Sequence, residues 1–379
     1  MICLSGVSPD RLIILVTLNP EKIKMNTKKT ITAFVHLGSV INNYLVFDDE
    51  FEKLEAKDDL RILHEAVIES SKTNPWFIRE NIHFSLRNIA STLTEKKLQS
   101  FLSSYITTGG RRNSPKKVGV VMAGNIPLVG FHDFLCVLLS GNQFVGKLSS
   151  DDNKLIPAFA EILINKEPSL ASGIRFCESK LTNFEAIIAT GSNNTSRYFE
   201  YYFGRYPHII RKSRNGVAVL NGNESDEELA GLADDIFSYF GLGCRNVSKI
   251  FIPENLEPDF IMKGFRENPS IIYHNKYNNN YDYYKSIYLI NNIKFFDSGN
   301  LLVTEETEFS SPISVIYFER YNDLDTLRVY LESQRERIQC IVTNEQVFEE
   351  RVAFGKSQMP ELHDFADGVD TMTFLMDLA

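Results

Sequence analysis

Cys244 is the residue in this sequence best placed for covalent chemistry. It sits in the run Phe240-Gly241-Leu242-Gly243-Cys244-Arg245-Asn246-Val247-Ser248-Lys249. Glycines ahead of it let the backbone come close to a substrate. Arg245 follows directly, and a neighbouring cation favours thiolate over thiol. The thiolate is the form that attacks a carbonyl carbon. A buried structural cysteine beside a helix-ending glycine gives the same local pattern, so these residues alone leave both readings open. A second candidate is Thr190-Gly191-Ser192. A glycine turn that opens a helix presents free N–H groups to a phosphate, and a serine that only caps its helix fits as well.

Such residues need elements to hold them. A helical pattern at 226–239 runs into the cysteine stretch and an apolar strand at 249–252 leaves it. Upstream, 117–123 reads as a buried strand and 124–127 as a turn carrying Asn125. Residues 128–140 form a helix that is apolar nearly all round, and 143–147 a second strand ending in Lys147. Strand, helix, strand implies a parallel sheet with right-handed crossovers. The unit repeats through a helix at 154–165, a strand at 185–189, a helix at 193–203 and a strand at 216–220. Ligands of such sheets bind beyond the strand C-terminal ends, where Asn125, Lys147 and Thr190-Gly191-Ser192 fall. Residues 30–105 read as a helical packing and interface layer, with one helical pattern over 48–71 and another over 76–93. After the cysteine come a helix at 257–268, a Tyr/Asn-rich surface loop at 273–284 and strands at 301–303, 312–318 and 338–342. Helices at 323–332 and 345–352 complete the pattern.

Composition narrows the function. The chain has 379 residues, 43% hydrophobic and 23% charged, with a net charge of −9. That is a globular composition without the basic footprint of a nucleic-acid binder. Five widely spaced cysteines and seven scattered histidines argue for a reducing compartment and against a disulfide framework or a metal site. No apolar run approaches the ~18 residues of a membrane span. Residues 1–24 read as an extension outside the fold, with Met25 as a plausible start. A cytoplasmic location follows from these absences.

From 74 to the C-terminus the residues resemble the aldehyde dehydrogenase superfamily, and most closely its acyl-CoA reductase branch, which includes the fatty-acid reductase of bacterial bioluminescence. The markers stand in order. Ala123-Gly124-Asn125-Ile126-Pro127-Leu128 resembles the Asn-x-Pro turn, and Gly141-Asn142 through Lys147-Leu148-Ser149-Ser150 the strand with the cofactor-binding lysine. Thr190-Gly191-Ser192 resembles the pyrophosphate turn, and Gly241-Leu242-Gly243-Cys244 the nucleophile segment. Glu308-Phe309-Ser310-Ser311-Pro312 is similar to the Glu-x-x-Gly-Pro element on the nicotinamide ribose, with Ser311 where glycine is usual. Phe354-Gly355-Lys356-Ser357 is similar to a shortened Phe-Gly-x-Lys-Ser loop. Members that oxidise aldehydes carry a glutamate that activates water. Here 204–223 holds no Asp or Glu, and Arg205, Arg211, Lys212 and Arg214 cluster instead. The cluster suits a solvated loop or a phosphate of CoA or NADPH. His208 is the one ordinary base there and reads as a packed or surface histidine.

The resemblance implies an α/β fold of two lobes, each with a largely parallel sheet flanked by helices. The cofactor lobe would span 25–220, rejoined by 346–379, and the catalytic lobe 221–345. It implies NADPH-dependent reduction of a fatty acyl-CoA or acyl-carrier thioester to the aldehyde through an acyl-Cys244 intermediate. Asn125 would hold the oxyanion. Lys147, Thr190, Gly191, Ser192 and Glu308 would hold NADPH, with NADH as the alternative. Two other activities compete: a CoA-acylating aldehyde dehydrogenase running in the oxidative direction, and a scaffold that only binds nucleotide. A homo-oligomer is implied, with room for an acyl-transferring partner enzyme.

Overall fold

The computed structural model describes residues 20–47, 58–106, 114–177, 179–265 and 269–378. Four helices come first: α1 (Pro20–Phe47), α2 (Asp58–Thr73), α3 (Arg79–Thr92) and α4 (Glu95–Ile106). A parallel unit follows: β1 (Lys117–Val121), α5 (Phe131–Leu139), β2 (Gln143–Lys147), α6 (Leu155–Lys166), β3 (Ile174–Cys177), β4 (Ala186–Thr190), α7 (Asn193–Phe203) and β5 (His208–Arg211). Its five strands run in the order β3-β2-β1-β4-β5, all parallel. The order reverses direction at β1, which opens a crevice between the loops after β1 and β4. α5 is apolar nearly all round and packs against the sheet, α1 and a C-terminal helix.

The second sheet has seven strands. It draws on β6 (Asn215–Val219), β7 (Val247–Pro253), β8 (Phe296–Asp297), β9 (Leu302–Glu305), β10 (Val315–Tyr321), β11 (Ile338–Val342) and β12 (Arg351–Val352). The order is β12-β11-β6-β7-β10-β9-β8, parallel except for the β8–β9 edge. Its helices are α8 (Asp226–Phe237), α9 (Asp259–Phe265), α10 (Asn275–Ile290) and α11 (Leu324–Ser333); α12 (Thr371–Met376) lies on α5. α8 starts on a reciprocal capping box, Ser225 with Glu228. The chain is thus α/β with two largely parallel sheets flanked by helices and a helical N-terminal layer.

Several expectations are corrected. The change of sheet falls between Arg211 and Asn215, so the strand expected to close the first lobe, β6, belongs to the second sheet. β12 also pairs in the second sheet, and the return to the first core is carried by Leu362, Met372 and Leu375. The 345–352 helix is absent; turns lead there into β12. The Tyr/Asn-rich segment is not a surface loop but α10, because Tyr277, Tyr281 and Tyr288 recur at helical spacing and are buried. α1 begins at Pro20, so residues 20–24 are helical; residues 1–19 lie outside the described residues, as do 48–57 of the helix expected at 48–71. Among the described residues, no helix is long and apolar enough to cross a membrane, and Cys136, Cys177, Cys244 and Cys340 are free.

Candidate active site

The cysteine bend begins where α8 stops. Tyr239, Phe240 and Gly241 follow one another at positive φ, 53°, 59° and 77°, and turn the chain sharply. Two of the three are not glycine, and left-handed backbone there costs roughly 1–2 kcal/mol per residue. Asn246 offsets that cost. Its Oδ1 accepts the Gly243 N–H at 2.7 Å. Its Nδ2 donates to the carbonyls of Asp235 at 3.0 Å, Ile236 at 3.3 Å and Ser238 at 2.8 Å. One buried amide therefore ties the end of α8 to the loop that carries the thiol.

Cys244 lies in the following turn and is exposed at the surface. Desolvation of the charged form by surrounding protein atoms pushes the thiol above its ordinary pKa, against the opposing pull of Arg245 and Arg211. Arg245 favours the thiolate as expected, but its pull is outweighed. Arg245 points its Nε at the Ser357 carbonyl, 2.5 Å away, and desolvation of the charged sulfur wins.

Asn125 comes to the same place from the other sheet. Its Nδ2 donates to the Leu242 carbonyl at 2.7 Å, two residues before the cysteine. The turn beneath it is strained at Leu128, φ 62°, and Asp152 holds it by accepting the Leu128 N–H at 2.8 Å. Asp152 is buried, its second oxygen has no partner, and burial raises its pKa to about 6. Ser85 of α3 joins the two loops. Its hydroxyl donates to the Pro127 carbonyl at 3.1 Å and bonds the Tyr239 hydroxyl at 2.8 Å. The N-terminal layer, expected only to pack, thus reaches the site. It also walls a cavity of about 210 Å³ that opens on Cys244, with Asn88, Ile89, Pro127, Leu128 and Leu362 among its lining residues.

A C-terminal strap closes the back. The buried Asp235 carboxylate accepts the N–H groups of Gly355 at 2.7 Å and Ser357 at 2.8 Å. Burial lifts Asp235 to about 6 as well. Gly355 is required at φ +76°, and a side chain there would meet Gly231 at 3.1 Å. The sequence singled out Phe354-Gly355-Lys356-Ser357 but not the aspartate that seats it.

The remaining candidates line the sheet edge. Lys147 and Ala189 flank Val121 in register, so Lys147 and Thr190 share the C-terminal edge of the five-stranded sheet. Ser192 caps α7, accepting the Thr195 N–H at 3.2 Å, while a side chain at Gly191 would press on Phe199 at 2.9 Å. Glu308 stands in the loop that joins β9 to β10 of the other sheet, exposed, 2.7 Å from Arg337. The expected solvated basic loop is two half-closed ion pairs instead. Arg211 is buried against Asp133 with bonds of 2.5 and 2.9 Å, and Arg214 sits 3.3 Å from Asp367. Only Lys212, paired with Glu200 at 3.0 Å, and Arg205, stacked on Tyr206, face solvent. His208 is exposed and bonds the Tyr206 carbonyl at 2.8 Å. Asn246, Asp152, Asp235 and Ser85 were not singled out from the sequence.

Solved structures similar in fold include aldehyde dehydrogenases. Aldehyde dehydrogenase 21 from Physcomitrella patens, in complex with succinate, superposes with a TM-score of 0.58 at 13% identity, over 94% of this chain and 88% of that one. Lactaldehyde dehydrogenase from Escherichia coli gives 0.57 at 11% identity, over 87% and 81%. An indole-3-acetaldehyde dehydrogenase solved with NAD+ gives 0.59 at 8% identity, over 86% and 77%. At these identities the likeness shows the fold alone. No curated protein sequence matches the chain. The profile of the acyl-CoA reductase (LuxC) family matches residues 48–260, over half of the sequence. On that match, and with the fold of the aldehyde dehydrogenases beneath it, the chain belongs to the acyl-CoA reductase (LuxC) family.

Proposed function

We propose that the protein reduces a fatty acyl thioester, carried by CoA or by an acyl-carrier protein, to the aldehyde with NADPH. The observation that carries this is the bond from the Asn125 amide to the Leu242 carbonyl, two residues before Cys244, which itself lines a largely apolar cavity. The Cys244 sulfur attacks the thioester carbonyl. A carbon–sulfur bond to Cys244 forms, the bond to the donor sulfur breaks, and the cysteine proton ends on the departing thiol. Asn125 Nδ2 carries two hydrogens; Leu242 holds one, which aims the other at the developing oxyanion together with the Cys244 N–H. Such donors are worth about 3–4 kcal/mol. The nicotinamide cofactor, when bound, supplies the hydride that reduces the acyl group on Cys244, and the resulting thiohemiacetal expels the aldehyde.

The residues present fit that cofactor by their chemistry. Lys147 and the N-terminus of α7 offer a cation and amides to phosphates, and Glu308 offers a carboxylate to ribose hydroxyls. Hydrolysis of the acyl-enzyme is disfavoured. The segment 204–223, where the resemblance would place a water-activating glutamate, holds no Asp or Glu, and Glu361 in the cavity wall is engaged by Lys97 at 2.9 Å. The oxidative, CoA-acylating direction uses the same residues in reverse, and the assay below separates the two.

The test is NADPH oxidation with palmitoyl-CoA beside NADP reduction with the matching aldehyde and free CoA. Cys244→Ala abolishes both while nucleotide still binds; turnover that survives the substitution would sink the proposal. Because the thiol is raised, labelling of Cys244 by iodoacetamide accelerates about tenfold per pH unit through neutrality, while the buried Cys136 stays unlabelled.

A further inference from the structure

We propose that Ser248 and Lys249 are positioning residues that hold Glu308 in place, so that the strand leaving the nucleophile also sets the cofactor carboxylate; this rests on the cofactor role proposed for Glu308. The two residues are the second and third of β7, four and five positions after Cys244. Ser248 Oγ donates to the Phe309 carbonyl at 2.6 Å. Lys249 Nζ donates to the Thr307 carbonyl at 2.7 Å. Glu308 lies between those two carbonyls. Its backbone is therefore pinned on both sides by consecutive residues of one strand.

Lys249 is built for this task at some cost. Its side chain is fully buried, paired with Glu319 and packed between the rings of Phe251 and Phe309, 5.0 and 5.1 Å from its ammonium. A buried ammonium contributes less to stability than an apolar side chain of similar size, so packing alone does not call for a lysine here. Phe309 is likewise fully buried and carries Arg337 over its ring at 4.7 Å. Arg337 in turn meets the Glu308 carboxylate. The loop between β9 and β10 is thus held at Thr307 and Phe309, on either side of the exposed Glu308 carboxylate.

The test separates the two half-reactions in the full-length protein. Release of CoA from palmitoyl-CoA without reductant reports acylation of Cys244. Fluorescence titration with NADPH reports cofactor binding. Misplacing a carboxylate by a fraction of an ångström is expected to weaken NADPH binding about tenfold in Lys249→Met and in Ser248→Ala, as in Glu308→Gln. The CoA burst should stay within about twofold of wild type. Adding Ser248→Ala to Glu308→Gln should cost nothing further, since both act on one contact. If Ser248→Ala melts like wild type and binds NADPH like wild type, the inference is overturned. Equal losses in burst and NADPH binding would overturn it too. A wild-type protein that binds NADPH but gives no Cys244-dependent burst refutes the proposed reaction, while the titrations still decide the role of Ser248 and Lys249.

Discussion

The two loops that meet at Leu242 are strained alike and anchored differently. The cysteine bend is held by Asn246, a neutral amide whose oxygen and nitrogen are both engaged by backbone within 11 residues. The Asn125 turn is held by Asp152, an ionisable group from another loop, with one oxygen bonded and one buried without a partner. The first anchor is local and indifferent to pH. The second is non-local and carries a charge that its surroundings do not favour. The cysteine bend is thereby held at any pH, whereas the Asn125 turn rests on a support whose strength depends on protonation.

The largest effect expected is on the contact between the loops. Asn125→Ala should slow acylation about 100–1000-fold, measured as CoA release; a drop below tenfold would mean that Asn125 is not the oxyanion donor. Next comes the neutral anchor. Asn246→Ala leaves the Gly243 N–H and three carbonyls without their partner and should lower stability by about 2–4 kcal/mol in urea unfolding, equally at pH 5 and pH 8.

The ionisable anchor behaves in the opposite way. The folded pKa of Asp152, about 6, lies above the ordinary 3.8. Its contribution is therefore intact below pH 4 and is lost as pH rises through 6. Asp152→Asn keeps an acceptor for Leu128 and never ionises. It should be more stable than wild type at pH 8 by on the order of 2 kcal/mol, an advantage that fades toward pH 4. A pH-independent difference would erase the contrast between the loops. The smallest effect is at the bridge. Ser85→Ala should cost about 1 kcal/mol, and a double-mutant cycle with Tyr239→Phe shows whether the two hydroxyls act as a pair.

Most of the scaffold was legible because its strands are apolar runs ended by glycine or asparagine turns. β2 and α7 fall where the pattern puts them, at 143–147 and 193–203. β3 and β5 were missed. Each has four residues on a sheet edge, so half-exposed side chains such as Arg175 and His208 blur the apolar signal. α10 was hidden by its asparagines, although its tyrosines keep helical spacing. The 345–352 helix was over-read from Val347, Phe348 and Val352, of which only Phe348 is buried.

At the site, residue type and local glycines pointed to Cys244 and the resemblance pointed to Asn125, whose amide the structure places on the Leu242 carbonyl. Their supports were not readable, for a physical reason. Asp152 acts on a residue 24 positions away, Asp235 on one 122 away and Ser85 on one 154 away. A lone buried carboxylate or serine has no local signature; only the fold shows what it holds.

The strap from Asp235 to Ser357 also gives the site an order in time. A ribosome extends the chain at roughly 5–20 residues per second and folding follows behind it. The Asn246 bonds close soon after Cys244 emerges, because every partner lies in the same short segment. Asp235 and Arg245 must wait for residues 355–357, and β6 lacks its β11 neighbour until 338–342 are made. During that interval the thiol stands on a finished bend beside an unfinished wall. Nascent chains arrested after Cys244 has cleared the exit tunnel but before residues 355–357 are made should therefore label at Cys244 like a free thiol, and the raised thiol should arise only after the strap has left the ribosome.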